Sequence, residues 1–385
     1  MVLLYYTQTY FLDAVLETIQ SLKKVSELHL LIEIAPESKK STIIDIPSLS
    51  RFATVEHWKS VLDEGMCKRL APYFEGIASI HFVVHKSAHA LSPASLFVCA
   101  KLIKFIHRIN PQIIHFDTVS VRSIGLLTLA SRYKFNITVH DPVSHSGEDS
   151  WKTNFVRWLY YNKAKHLFFY SAFAEKQFRK HYAEVKSKSS LLHFQPFSFI
   201  RTYQSLVSFR SDYILFFGRM SPYKGIDILL DAIPRVLAEY PSAKFVLAGS
   251  AEHLTCNHDT LLKYSGSVSF LPHYFSSSGL ADLISHAQFI VCPYRDATQS
   301  GVLMTAFALG KTVIATNVGA FPEYIRDKHD GLLIEPDSSQ LSQAISKALS
   351  GNYYLDLEKN INPLFSSFYD IQNQQTFRSA NLQRA

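Results

Sequence analysis

The chain has 385 residues, 47% apolar and 18% charged, with a net charge of +7. That length favours two domains of roughly 150–200 residues, and the apolar share excludes a disordered chain. None of the 14 glycines falls into G-x-G-x-x-G spacing and no G-x-x-x-x-G-K-[ST] is present, which excludes the usual dinucleotide fingerprint and the P-loop.

From the start of the chain, MVLLYYTQTYFLDAVLETIQ has no basic residue ahead of its apolar stretch and meets Asp13 early. It reads as a strand and a helix, not as a signal peptide. No run approaches 18 consecutive apolar residues, so no membrane-spanning helix is expected. Strands are predicted at 2–6, 28–33, 80–84, 113–116, 137–140 and 167–170, with helical stretches between most of them. Ser92-Pro93 reads as a helix start, with Ser as N-cap and Pro at the first helical position. A second series of strands is predicted at 213–217, 244–248, 268–271, 288–292, 312–316 and 332–334. Apolar strands separated by helices imply parallel sheets covered on both faces.

The expected organisation is therefore an α/β chain of two Rossmann-like parallel-sheet domains, 1–203 and 204–365. A polar tail, 366–385, would either pack back on the first domain or be disordered. Two such domains facing one another place a crevice at the carboxyl ends of their strands, where ligands of these folds bind. Cys67, Cys99, Cys256 and Cys292 are scattered with no C-x-x-C pair, which suits a reducing cytosol.

Charge is unevenly placed. Residues 1–200 carry 24 Lys/Arg against 16 Asp/Glu, whereas residues 201–385 carry 15 against 16. The excess peaks in 151–200, where WKTNFVRWLYYNKAKHLFFY interleaves cations with aromatics. Such a face suits an anionic membrane, and the same pattern also fits a solvated helix face over an aromatic core stripe. Nucleic acid is not expected as a partner, because no recognition motif accompanies the charge.

Two segments carry the chemistry. In FFGRMSPYKG (216–225) a buried strand meets a turn at Gly218, and Arg219 and Lys224 precede an amphipathic helix. Cations at a strand-to-helix turn, beside helix N–H groups, form a phosphate site. In ATQSGVLMTAFALGKTVIATNVGAFPE (297–323), small residues open an apolar helix, so the N–H groups of Ser300, Gly301 and Val302 are available to a second anion.

Together these segments resemble the C-terminal half of the retaining GT-B glycosyltransferases of family 4, the group 1 glycosyl transferases. The resemblance extends over nearly all of 212–350, including LLDAIPRVLAEYPSAKFVLAGS and HDGLLIEPDS. It implies a GT-B fold and transfer of a sugar from a nucleotide sugar with retention of configuration. Arg219 and Lys224, with Gly218 at the turn, match the pair that neutralises the donor diphosphate, and the Ser300-Gly301-Val302 backbone matches the helix N-terminus that also holds it. His140, in ITVHDPVSHSGE, matches a histidine close to the donor sugar and the reaction centre. Asp141, His145 and Glu148 are expected on the acceptor side, and His273 and Tyr274 near the donor base. Glu323 falls at a recurrent family position.

One departure stands out. The family usually has two glutamates eight positions apart for the donor sugar and ribose, and here Ala297 and Thr305 occupy those places. Other sequences resembling the family carry a similar ATQSGV loop, so a variant site is expected, with Asp296 or Gln299 taking over sugar contacts and Thr305 beside them. No Asp-x-Asp is present, and no metal or other cofactor is expected, since two cations and a helix N-terminus can neutralise the leaving group. The expected function is a metal-independent retaining transferase acting on a glycan or lipid-linked acceptor in surface polysaccharide or lipopolysaccharide synthesis. Its expected location is the cytoplasm, with peripheral contact at the inner face of the cell membrane. The alternatives are a noncatalytic or degenerate sugar-nucleotide-binding protein and a GT-B sugar-nucleotide epimerase.

Overall fold

A computed structural model describes the chain apart from residues 37–42, 45, 47, 144–150, 205–211, 252–258, 362–366 and 383–385. The chain divides into two compact units, Met1–Phe194 with Ser367–Ala385, and Gln195–Ser366.

The first unit is built on eight strands: β1 (Val2–Gln8), β2 (Glu27–Ile34), β3 (Val55–His57), β4 (Ser79–Val84), β5 (Ile113–Phe116), β6 (Lys134–Thr138), β7 (His166–Phe169) and β8 (Lys188–Leu191). They lie in the order β3-β4-β2-β1-β5-β6-β7-β8. All neighbours are parallel except β3 and β4. Central strands such as β5 are buried along their whole length, as expected where helices cover both faces. The Pro93–Ile109 helix starts as its sequence predicts, with Ser92 Oγ accepting from the Ser95 N–H at 3.2 Å.

Three elements depart from expectation. β6 begins at Lys134 and ends at Thr138, whereas 137–140 was expected. Polar Asn136 sits inside this strand because its side-chain amide donates to Asn381 Oδ1 at 2.8 Å, which satisfies it in a buried place. β3 and β8 were not anticipated. Each is an edge strand, short and polar, with a partner on one side only, so neither needs an apolar pattern.

The Ser367–Leu382 helix belongs to the first unit. Phe377 is buried against the Phe168 ring at 5.0 Å and the His115 ring at 6.0 Å. Asn373 exchanges hydrogen bonds with the His193 backbone at 2.8 and 3.1 Å, and the Asp370 carboxylate accepts from Ser21 and Lys24.

The second unit has six parallel strands: β9 (Tyr213–Phe217), β10 (Lys244–Ala248), β11 (Val268–Leu271), β12 (Ile290–Cys292), β13 (Val313–Thr316) and β14 (Gly331–Ile334), in the order β11-β10-β9-β12-β13-β14. All six were legible as apolar runs to within two residues at either end. The unit begins at Gln195, upstream of the 203/204 boundary read from the sequence. The reason is the Ser198–Tyr203 turn, which is fastened to this unit's Gly301–Ala308 helix: Phe197 N–H donates to Met304 O at 3.3 Å, and Arg201 Nε donates to Ala308 O.

Strand order reverses direction at β1/β5 in one sheet and at β9/β12 in the other. These are the switch points where adjacent loops diverge and leave a crevice at the strands' carboxyl ends. Among the described residues, no helix is long and apolar enough to cross a membrane, and Cys67, Cys99 and Cys292 are free thiols.

The turn after β9 depends on Gly225. Its φ is +63°, and a Cβ there would stand 1.9 Å from the Pro293 carbonyl oxygen. Gly225→Ala is expected to cost about 1–2 kcal/mol for the left-handed backbone and about 1–3 kcal/mol for the forced displacement. A urea denaturation midpoint close to wild type would show that the turn relaxes freely.

Candidate functional site

The phosphate-binding segments predicted from sequence meet at the switch point of the second unit. β9 ends at Phe217, and Gly218 follows with φ +109°. A Cβ placed on Gly218 would lie 2.8 Å from Lys224 Nζ and 3.2 Å from Val302 Cγ2. The missing side chain therefore leaves room on which the Lys224 ammonium and the start of the Gly301–Ala308 helix converge.

Lys224 is only 7% exposed. Its ammonium lies 5.2 Å from the centroid of the Tyr294 ring, and among the described residues no carboxylate pairs with it. Burial lowers its pKa from 10.5 to about 8; the neighbouring Cys292 opposes this and Arg219 adds to it. The same burial pushes the Cys292 thiol up to about 12, so it stays protonated and supplies no counter-charge near neutrality. A cation held this way is costly to the free protein and is repaid when an anion arrives. Arg219 is exposed at the mouth of the turn.

The helix supplies neutral donors. Ser300 is its N-cap, its Oγ accepting from the Leu303 N–H at 3.2 Å. That leaves the Gly301 and Val302 N–H groups in the first turn without an intrahelical acceptor. Gly301 is closely packed: a Cβ there would stand 3.2 Å from Phe197 Cε2, so the ring would have to give by a few tenths of an ångström. The loop is held in register by Arg295, which forms a two-pronged ion pair with Asp227 at 2.5 and 2.7 Å and whose N–H donates to Tyr223 O at 2.7 Å.

Gly218, Arg219, Lys224, Ser300, Gly301 and Val302 thus form one cluster. The remaining expected donor residues are placed differently. Asp296 is exposed and Gln299 part-buried on the loop entering the helix. Ala297 is buried, and its carbonyl accepts from the Ala320 N–H at 2.8 Å. Thr305 turns back on its own helix, its hydroxyl donating to Gly301 O at 2.7 Å. His273 and exposed Tyr274 follow β11, the edge strand two places from β9. Glu323 is exposed in the Phe321–Tyr324 turn.

In the first unit, β1 and the loops after β5 and β6 assemble a buried polar network that the sequence did not suggest. Asp117, immediately after β5 and fully buried, accepts from the Tyr5 hydroxyl at 2.7 Å, the Thr7 hydroxyl at 2.9 Å and His140 Nε2 at 3.1 Å. Burial alone pushes the Asp117 carboxyl up. The charge and hydrogen bond of His140 and the Tyr5 hydrogen bond more than offset this, leaving its pKa below the ordinary aspartate value. An ionised carboxylate only accepts, so Nε2 of His140 carries a proton. The imidazole stacks on the Phe11 ring at 4.2 Å. His140 and Asp141 line a small recess with Phe11, Thr118, Thr138 and Arg157. His145 and Glu148 lie outside the described residues. Asp117 had one sequence signal, a carboxylate directly following an apolar strand.

Among the described residues there is no group of three or more His, Cys, Asp or Glu arranged to hold a metal ion.

Solved structures give the architecture its name. The chain superposes over its full length on sucrose-phosphate synthase from Thermosynechococcus elongatus, with TM-score 0.67, 16% identity and complete coverage of both chains. It likewise superposes on Anabaena HepE in complex with UDP, with TM-score 0.66, 14% identity and complete coverage of both. The fold is GT-B. A UDP-N-acetylglucosamine 2-epimerase also shares it, at TM-score 0.60 and 13% identity over 100% of this chain and 97% of that one, so the GT-B architecture alone does not separate transfer from epimerisation.

Residues 211–351 match the family described as glycosyl transferases group 1. The phosphatidyl-myo-inositol mannosyltransferase of Mycobacterium tuberculosis is 30% identical over 155 residues, 38% of each chain. The GDP-mannose:glycolipid 4-beta-D-mannosyltransferase of Xanthomonas campestris pv. campestris is 29% identical over 102 residues, 26% of this chain and 29% of that one. These alignments span little more than a third of the relatives' length at most.

Proposed function

We propose that this protein is a glycosyltransferase that takes a sugar from a nucleoside-diphosphate sugar and delivers it, with retention and without a metal, to a glycan or lipid-linked acceptor. The observation that carries this reading is the Lys224 ammonium, buried over Gly218 and beside the Gly301–Ala308 helix start with no carboxylate partner among the described residues. A departing diphosphate gains negative charge as the bond to the anomeric carbon breaks. Lys224, Arg219 and the Gly301 and Val302 N–H groups offer two cations and two donors to that charge.

The match of 211–351 to the group 1 family supports the reaction class, and the printed activities of two relatives, on phosphatidyl-myo-inositol and on a glycolipid, support a lipid-borne acceptor. His140 is the first unit's candidate beside the donor sugar and the reaction centre, and Asp141 its candidate on the acceptor side. In this reading retention follows from front-face attack, with the departing phosphate oxygen taking the acceptor proton. The setting is surface polysaccharide or lipopolysaccharide assembly, in the cytoplasm and at the inner face of the cell membrane.

A second reading, a protein that binds a sugar nucleotide without transferring it, draws on Ala297 and Thr305. One is buried and the other is turned onto its own helix, in the places where the family pattern has glutamates. Nucleotide binding without sugar transfer across an acceptor screen would favour it, whereas an epimerised donor would point to the epimerase.

Thermal unfolding with UDP, GDP, ADP and CMP, each in EDTA, tests the donor site. One nucleotide is expected to raise Tm by several degrees at concentrations about a hundredfold above its Kd, with no effect on Lys224→Ala. No shift with any nucleotide overturns the donor site, and a shift that appears only with added divalent cation overturns metal independence.

A further inference from the structure

The first unit presents an apolar and basic surface that neither the polar network nor the fold requires. The Pro93–Ile109 helix and the Trp151–Lys163 helix both pack on the Val121–Ser131 segment. Their first turns are neighbours, since Leu91, Ser92 and Lys152 line one shallow concavity with Val121. Around it five large apolar side chains stand out in solvent: Leu91, Leu96, Phe97 at 58% exposure, Trp151 at 75% and Phe155. Single exposed apolar residues are ordinary, but a cluster carried on adjoining helix starts marks an interaction surface.

Its charge selects the partner. Segments 76–116, 118–140 and 151–174, which include these elements, contain no Asp or Glu. Lys101, Lys104 and Arg108 follow one another at helical spacing on the exposed side of the first helix, with Lys101 Nζ 4.6 Å from the Phe97 ring centroid. Lys152 lies 5.9 Å from the Trp151 ring centroid. Two acids, Glu148 and Asp149, precede Trp151 in sequence, and Glu184 accepts from the Trp158 indole at 2.9 Å, one helical turn beyond Phe155. An apolar tip bordered by cations fits a bilayer with anionic headgroups, its aromatics at the acyl boundary and its cations on lipid phosphates.

We propose that Leu91, Leu96, Phe97, Trp151 and Phe155 form a shallow wedge that inserts into an anionic phospholipid surface, and that Lys101, Lys104, Arg108 and Lys152 hold it there. This deepens the lipid-acceptor reading, on which its purpose rests. The exposed aromatics of the Trp151 helix dip into the leaflet, while Val156, Tyr160 and Tyr161 on its other side remain in the core.

The test is flotation of the full chain with phosphatidylcholine vesicles, with and without phosphatidylglycerol, alongside light scattering. Wild type is expected to float only with anionic vesicles, and its tryptophan emission to shift to the blue. Phe97→Ser with Trp151→Ser and Phe155→Ser is expected to weaken binding by at least about tenfold, as is Lys101→Glu with Lys104→Glu at low salt. All substituted residues are exposed, so Tm is expected to stay near wild type. Absence of binding to anionic vesicles at low salt overturns the proposal, as does equal binding by wild type and both variants. A dimer that the aromatic variant converts to monomer overturns it in favour of a second copy on this face. Nucleotide-induced stabilisation of the same preparations reads the donor site separately, so failure of either reading is recognisable on its own.

Discussion

Lys224→Met is expected to make the protein more stable and to abolish its response to nucleotide. The folded chain holds Lys224 at a pKa of about 8 against 10.5, chiefly because burial removes water from the ammonium. A difference of about 2.5 units corresponds to up to about 3 kcal/mol of destabilisation carried by the charged form. The sign follows from proton counting. Between pH 8 and 10.5 the unfolded chain binds more protons at this position than the folded one, so stability rises with pH across that window. Below pH 8 the penalty is fully in force. Methionine keeps the apolar stem and removes the charge. Its advantage over wild type in urea denaturation should therefore be largest at pH 7 and gone above pH 10.5.

Nucleotide affinity should move the other way. An anion on the ammonium raises its pKa, so wild-type binding should weaken as pH climbs past 8, and Lys224→Met should show no such slope. A variant less stable than wild type at pH 7 would mean that the ammonium has a structural counter-ion, and the assignment of this position to a diphosphate would fall.

The cost of Lys224 also explains why this part of the site was legible in the sequence. A cation six residues after a strand-end glycine has little reason to be drawn into the interior of an α/β turn except to meet an anion, and both residues sit on one local segment. The strands were equally plain, because a sheet covered on both faces demands near-continuous apolar runs. Legibility failed where partners are distant in sequence or where one side of an element is free. Asp117 is held by Tyr5, Thr7 and His140, each more than twenty residues away, and nothing around Asp117 itself announces them. The edge strands β3 and β8 pair on one side and carry no apolar signature. The aromatic run after Trp151 reads either as a basic face or as a solvated face over a core stripe, and the structure divides it: Trp151 and Phe155 are exposed, whereas Tyr160, Tyr161, Phe168 and Phe169 are core. Residue type alone does not say which side of a helix faces a sheet already crowded with aromatics.

Asp117→Ala is expected to cost about 3–5 kcal/mol, because it removes the charged acceptor that three donors share in a fully buried place. The Tyr5 hydroxyl, the Thr7 hydroxyl and His140 Nε2 each lose the carboxylate at once, while the imidazole keeps its ring contacts with Phe11 and Tyr170. Asp117→Asn retains the volume and one acceptor oxygen, so its loss at neutral pH should be smaller. The two variants also separate charge from shape. Because the folded-state pKa of Asp117 is depressed, its contribution is complete above the unfolded value near 4 and is lost as pH falls through the folded value. The gap between wild type and Asp117→Asn in urea midpoint should therefore be wide at pH 6 and should narrow below pH 4. If His140 acts at the reaction centre, the Asn variant should also lose turnover while its nucleotide-induced thermal shift stays intact, since the diphosphate cluster is built wholly from the second unit. A midpoint for Asp117→Ala within about 1 kcal/mol of wild type would show that water or a neighbouring group replaces the carboxylate, and the case for His140 as a positioned imidazole would go with it.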